Sequence, residues 1–490
     1  MGTGKARKNG KNTEKKYEKK YEKKIAQNTV TGQNGKAVNR GNRDHAVLDH
    51  NVLNDADLNH NVLDNKVPDN GAPSNEIDDI DVVLEAGEIL IESGAEIYRV
   101  DETMQHFAKV LQIAEFESCI VNQGIMGSGR NRHGELVAKV AMVSETKVHL
   151  GKLEAVNDLS RSLKPEEHPP LEKIAEKLQE IDNKPEAKVQ YTLLAFFLGA
   201  GGLSYAIGIP LLDAFLAALC GMVLGLFLRF INKHIHTRFL VTILGSAVVT
   251  LIAHLLHLQT FGGHAGLTIL GTLMLMVPGA VFVNSVREFS QNNYTTGISL
   301  LMAALLTGIS IAVGVAAVSE VLPFAEQITD SFNGRVDSVW EGILRVIAAG
   351  IGTIAFSYLY HAPRRYFKDL CLLAAASWTI YLCLVQFTGL VPVAVFAAAT
   401  FVSLCSRRLS VVRKCPMTIF LSTSIFPLMP GLSLYRGIYY LLIGVNDLAY
   451  TYMRSCFVTA FTIAIAISLV QQLLGRKLVR RKILNKSIVM

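Results

Sequence analysis

No Cys-x-x-Cys pair occurs among the seven cysteines, which run from Cys119 to Cys456 and mostly sit inside apolar stretches. That spacing excludes a disulfide frame or a zinc ribbon and leaves the thiols as small buried side chains. A His-Glu-x-x-His metalloprotease helix is missing as well; His254-Leu-Leu-His257 comes nearest to it. The Gly-x-Ser-Gly of an intramembrane serine protease is also missing, because Gly297-Ile-Ser299 and Gly308-Ile-Ser310 both run on into apolar residues. No catalytic site, metal centre or cofactor motif is read. The start of the chain shows no signal-peptide pattern, being Lys-rich and followed by polar residues, so the N-terminus is expected in the cytoplasm.

What is present is divided sharply. Hydrophobic residues make up 50% of the 490 and the mean hydropathy is +0.31, but residues 1 to about 187 are polar and the rest is a series of apolar runs. The net charge of +7 does not call for nucleic acid, since much of the Lys and Arg lies in the N-terminal tail or beside apolar runs, where it orients inserted chain. Residues 1–76 read as a disordered tail. Tyr-Glu-Lys-Lys recurs within 15–24, and His50-Asn51-Val52-Leu53 is echoed by His60-Asn61-Val62-Leu63 and more weakly from His45. Such chain has too little apolar surface to offset its ordering entropy. A small α+β cytoplasmic domain is expected over 77–187. Ile80, Val83, Leu84, Ile91 and Ile97 give helical periodicity up to Val100, continued by Met104, Phe107 and Leu111. Phe116–Asn122 and Leu136–Val143 read as strands, Gly124–Gly134 as a Gly- and Arg-rich loop, and 153–163 and 171–181 as helices.

A membrane helix needs about 20 mostly apolar residues. Ten such segments are expected near 189–208, 210–230, 238–258, 265–286, 295–319, 341–360, 369–387, 389–406, 416–443 and 452–474. Basic residues test the count. Arg229, Lys233 and Arg238, then Arg287, then Arg364, Arg365 and Lys368, then Arg407, Arg408, Arg413 and Lys414, and finally Arg476 to Lys482 fall in alternate connections. The opposite loops are nearly free of Lys and Arg, and the largest, 321–340, is bordered and filled by Glu320, Glu326, Asp330, Asp337 and Glu341 against Arg335. The alternation predicts both termini inside. The fold class expected is an all-α polytopic membrane protein of ten transmembrane helices. They form two five-helix inverted-topology halves, 188–320 and 341–475, followed by a basic cytoplasmic tail, 476–490.

Inverted repeats place their sites near the bilayer midplane at broken helices. The fourth segment of each half carries such a break. One is Pro278-Gly279, followed by Asn284 and Arg287. The other is Pro427-Leu428-Met429-Pro430-Gly431, followed by Tyr435 and Arg436. Either break taken alone is more often a structural kink, and two at matching positions weigh a substrate pathway evenly against that. Arg287 is weighed as an interface anchor ahead of a site residue. Arg436 is followed by more apolar chain and is placed within the bilayer, facing the bundle. Asp213, at the start of the second segment, either favours a helix start or serves the site by carrying a proton or binding an ammonium group.

With these residues the chain resembles the threonine/serine exporter family of bacteria and fungi. The resemblance rests on Ser93-Gly94-Ala95-Glu96-Ile97-Tyr98-Arg99-Val100 and on the two Pro-Gly motifs with Asn284, Arg287, Tyr435 and Arg436, and it spans about 78–475. It implies secondary export of small amino acids, threonine and serine, coupled to the proton gradient. Split relatives linked to dicarboxylates supply the alternative cargo, and a sensor or scaffold is the remaining reading. Where the family pattern often has an acid and a glycine, this chain reads Ser290-Gln291-Asn292-Asn293. Within the opening motif, Gly94 and Ala95 permit close packing and Glu96 and Arg99 pair at i,i+3 on a helix. That motif reads first as a packed helix, and second as a gate or docking surface at the inner mouth. The partners expected are a small-molecule amino acid or carboxylate and the lipid bilayer, with a homo-oligomer admissible and no nucleic acid.

Overall fold

The computed structural model describes residues 78–121, 124–131, 134–143, 146–164, 170–184, 188–259, 263–322 and 336–488, with side chains described through Leu473. The tail with its repeats, and Glu326, Asp330 and Arg335 of the long acidic loop, lie outside the described residues.

The N-terminal α+β domain is built on two helices, α1 (Asp79–Glu92) and α2 (Ile97–Val110). One continuous helix was expected here, and the chain breaks it at Gly94. That residue sits at φ +77°, the left-handed conformation that ends helices, and Ala95 N–H closes the turn by donating to the Leu90 carbonyl at 2.9 Å. The apolar spacing runs through the break because both helices bury faces in one core, Ile80, Val83 and Leu84 from the first and Met104 and Phe107 from the second. Three antiparallel strands follow, β1 (Ala114–Val121), β2 (Gly124–Arg130) and β3 (Leu136–Met142), in the order β1-β2-β3. The outer two match the expected strands. The expected loop is corrected: 124–130 is the central strand. Its glycines are there for close approach, since a Cβ on Gly127 would lie 3.1 Å from Leu84 of α1 and one on Gly129 2.6 Å from Ile113. Helices α3 (Leu150–Ser162) and α4 (Leu171–Asp182) complete the domain as expected.

The apolar chain forms α5 (Val189–Ala206), α6 (Leu211–Ile231), α7 (Arg238–Gln259), α8 (Ala265–Leu273), α9 (Gly279–Ser290) and α10 (Tyr294–Val321). It continues as α11 (Val339–Leu359), α12 (Phe367–Thr388), α13 (Val391–Arg413), α14 (Met417–Ser424), α15 (Gly431–Leu442) and α16 (Asn446–Ile488). Among the described residues eight of these are long and apolar enough to cross a membrane, and the pair 417–424 with 426–442, bent by 42°, counts as a ninth if it is one broken span. The segment expected at 265–286 is divided into α8 and α9, each too short to span alone.

Packing partners recur between the two sets. The pairs α5–α6, α6–α7, α7–α10 and α9–α10 have counterparts in α11–α12, α12–α13, α13–α16 and α15–α16. Helix α9 packs on α16 as α15 packs on α10, and α5–α11 and α9–α15 join the sets. Small residues let these backbones close: a Cβ on Gly202 of α5 would lie 3.0 Å from the Ala348 carbonyl oxygen of α11.

Candidate functional site

The two Pro-Gly breaks lie against each other. A Cβ on Gly279 would stand 3.0 Å from the Gly431 amide nitrogen and 3.1 Å from its Cα, and one on Gly431 would stand 2.8 Å from Val277 Cγ2 and 3.2 Å from the Gly279 nitrogen. The backbones therefore touch at a place that only glycine permits. Pro278 and Pro430 each occupy the N-cap position of the following half-helix. Two half-helix starts, α9 and α15, thus meet where α8 and α14 end. Helix starts present amide donors with positive character and helix ends present carbonyls. Pro427 lies in a buried single turn of 3-10 helix, Phe426–Leu428, whose Phe426 stacks on Phe356 at 3.5 Å.

The residues after the breaks go to different places. Tyr435 is fully buried and its hydroxyl has no hydrogen-bond partner among the described residues. Arg436, 5% exposed, lies over the Tyr452 ring at 5.1 Å and donates to the Tyr452 hydroxyl at 3.4 Å. Tyr452 stacks in turn on Tyr440, with ring centroids 5.6 Å apart. Placing Arg436 in the protein interior agrees with the sequence expectation. Its aromatic surroundings were not legible, because Tyr452 belongs to another helix. Asn284 points away from the buried face of α9 and is exposed.

Arg287 is not the interface anchor that its position suggested. It is 5% exposed and its Nη1 lies 2.6 Å from Glu96 Oε1, so its charge is matched inside the protein instead of snorkelling to headgroups. Glu96 is the N-cap residue of α2 and also meets Arg99 Nε at 3.4 Å, the i,i+3 pair expected. Burial raises the Glu96 carboxyl, but Arg287 and Arg99 outweigh it and hold it down at about 2. Burial and the neighbouring Glu96 push the Tyr98 hydroxyl up to about 12. The opening motif is therefore a joint: Gly94 turns the chain, and Glu96 reaches the end of the first broken helix.

Three more contacts tie the α+β domain to the helices. Glu154 accepts from Arg365 and from the Tyr366 hydroxyl, the His149 ring stacks on His361 at 4.4 Å, and Arg238 donates to the Thr146 carbonyl.

Asp213 lies apart from the crossing. It is fully buried in the first turn of α6, and its Oδ1 accepts from the backbone N–H of His264, the N-cap residue of α8, at 2.9 Å. It does favour a helix start, then, but that of a neighbour as well as its own. His264 Nδ1 is 3.5 Å from Oδ2 and His257 Nε2 is 3.9 Å from Oδ1. His264 went unmarked in the sequence and His257 was read only as part of a failed metalloprotease motif, although an ionisable residue within an apolar segment is a signal in itself. Among the described residues no group of three or more His, Cys, Asp or Glu could hold a metal ion.

A threonine/serine exporter family model matches residues 81–322, and a second, described as threonine/serine exporter, ThrE, matches residues 345–473. Among curated proteins, a threonine/serine exporter of Corynebacterium glutamicum is 25% identical over 352 residues, which cover 67% of this chain and 68% of the relative. No solved structure matches the chain significantly.

Proposed function

The chain belongs to the threonine/serine exporter family, a family of multi-pass membrane transporters and not of enzymes, and from that premise we propose that it exports small amino acids of the threonine/serine class, coupled to the proton gradient. The substrate binds where the two Pro-Gly breaks cross. The observation that carries this reading is the backbone contact between Gly279 and Gly431. Two half-helix starts and two half-helix ends converge there, and a zwitterion needs both signs: amides for its carboxylate, carbonyls for its ammonium group. Arg436 supplies a full positive charge on α15 for the carboxylate.

The ten segments form two inverted-topology halves, 188–320 and 341–475, a scheme supported by the recurring packing partners. The domain at 77–187 lies on the cytoplasmic side with both termini. Its contacts support this orientation, because Arg238, Arg287 and Arg365 all come from the basic connections that the positive-inside rule assigns to one face. A dicarboxylate cargo would want two unmatched cations in the pathway. Arg287 is matched by Glu96, which favours the amino acid. Pro278, Pro427 and Tyr435 shape the crossing and its approaches.

The test is Arg436→Ala in vesicles loaded with labelled threonine, with efflux normalised to correctly inserted protein. Efflux should fall at least tenfold with insertion unchanged; wild-type efflux would remove Arg436 from the site.

A further inference from the structure

Asp213, His264 and His257 form a buried ionisable group that substrate binding at the crossing does not use. Asp213 lies beside Thr268, nine residues before Val277, and so about 14 Å along the helix axis from the break. The cluster also lies far from the α+β domain. His257 is nineteen residues along α7 from Arg238, which touches that domain, or about 28 Å at 1.5 Å per residue.

The hydrogen bonds within the cluster are incomplete in one direction. Asp213 Oδ1 has the His264 amide, but Oδ2, buried as it is, has no hydrogen-bond partner among the described residues. The Asp213 side chain is 1% exposed, His257 12% and His264 54%. A buried carboxylate oxygen left without a donor is costly, and one proton removes the cost. His264 Nδ1, at 3.5 Å on a side chain that is half exposed, is placed to deliver that proton. Thr268 Oγ1 donates to the Asp213 backbone carbonyl at 3.4 Å and is 3.0 Å from His257 Nε2. With its one hydrogen used, Thr268 accepts from His257, which fixes the His257 proton on Nε2. Gly263, at φ +101°, closes over the pair, since a Cβ there would lie 2.6 Å from Oδ1 and 3.0 Å from His257 Cε1.

The other titratable groups on the packed elements are few. Among the described residues, His254 on α7, Tyr205 on α5, Cys220 on α6 and Glu320 at the end of α10, which packs on α7, are the others toward this end, while Arg229 and Arg238 sit at the opposite ends of α6 and α7. Across the loop before α6, Arg345 of α11 packs on Gly208 with its guanidinium held by Glu341.

We infer that Asp213 and His264 are the proton site of this transporter. The proton moves between His264 Nδ1 and Asp213 Oδ2, and its arrival changes the carboxylate that holds the start of α8. Helix α8 ends at the first Pro-Gly break and is keyed to α6 by Thr268 and by the Thr272 hydrogen bond to the Ala217 carbonyl at 3.2 Å. An ionised Asp213 favours the positive start of α8, and a protonated one releases it. The charge state at one end of α8 thus biases the crossing at the other. This rests on the export reading, and the test separates the two.

The full-length protein is reconstituted in vesicles, and two quantities are measured with labelled threonine: exchange at equal pH on both sides, and net accumulation driven by an imposed pH gradient. Wild type should do both. Asp213→Asn should lose pH-driven accumulation at least tenfold while exchange falls by less than threefold. Undiminished pH-driven accumulation in Asp213→Asn overturns the proton site and leaves the export reading intact. Absence of exchange and accumulation in wild type overturns both. Should Asp213→Asn lose both activities, His264→Gln decides. A displaced pH midpoint of wild-type-level exchange supports the relay, and an unmoved midpoint overturns it.

Discussion

Replacing Glu96 by Gln should uncouple the α+β domain from the first broken helix, and the size of the effect follows from the geometry. The carboxyl is held at about 2 against an ordinary 4.5. Net of the burial that opposes it, and with Arg99 helping Arg287, that depression is on the order of 3 kcal/mol in favour of the ionised, docked form. Removing one partner of a buried ion pair costs a similar ~3–5 kcal/mol, because the remaining charge stays buried without compensation. Arg287 is that charge, and two of its nitrogens, Nε and Nη2, already have no hydrogen-bond partner among the described residues. Glu96→Gln, Arg287→Gln and the double variant would be unfolded in mixed micelles as a double-mutant cycle. We expect a coupling energy of about 3 kcal/mol, so that the second substitution costs little once the first is made. Single effects that add to within ~0.5 kcal/mol would refute the pairing. The sign with pH is also set. A carboxyl held below its ordinary range contributes stability above about 4.5 that is lost only as the pH falls toward 2. The cost of Glu96→Gln should therefore be flat between pH 6 and 8, and a cost that fades across that range would contradict the assignment.

His149 supplies the opposite kind of group at the second docking point. Burial first, and then the neighbouring His361, lower its ring to about 4 from 6.5, and its Nδ1 must stay unprotonated to accept the Lys152 amide at 3.0 Å. Docking stability from His149 is complete above pH 6.5 and lost toward pH 4. The melting midpoint should fall across that window in wild type and much less in His149→Asn, and equal slopes would reject the role. Gly431→Ala puts a methyl against Val277 and the Gly279 backbone. It should cost about 1–3 kcal/mol by overpacking and reduce threonine efflux with it, and an unchanged melting midpoint would show that the crossing is looser than described.

The positions of the apolar helices were legible because apolar length is a local signal. The helices begin and end within a few residues of the expected segments, apart from α13 and α16, which run on past the apolar stretch. The breaks were legible too, since proline and glycine announce them. Their contact was not. Nothing in the sequence links Gly279 to Gly431, because the requirement is a missing Cβ at a tertiary crossing and leaves no periodicity. The same limit hid β2, where glycines serve close approach to α1 and Ile113 but resemble those of a loop. Arg287 was misplaced for a related reason. A basic residue at a helix end resembles an anchor until its partner is known, and Glu96 lies 191 residues earlier. Asp213 was marked by its position in an apolar run, while His257 was set aside as half of a failed protease motif.

The central claim is that a small zwitterion crosses at the paired breaks, and the most direct measurement is efflux of labelled threonine, serine and succinate from vesicles containing the full chain, compared with protein-free vesicles. Threonine and serine should leave faster through wild type, and that excess should vanish in Arg436→Ala. Efflux of succinate alone would contradict the account.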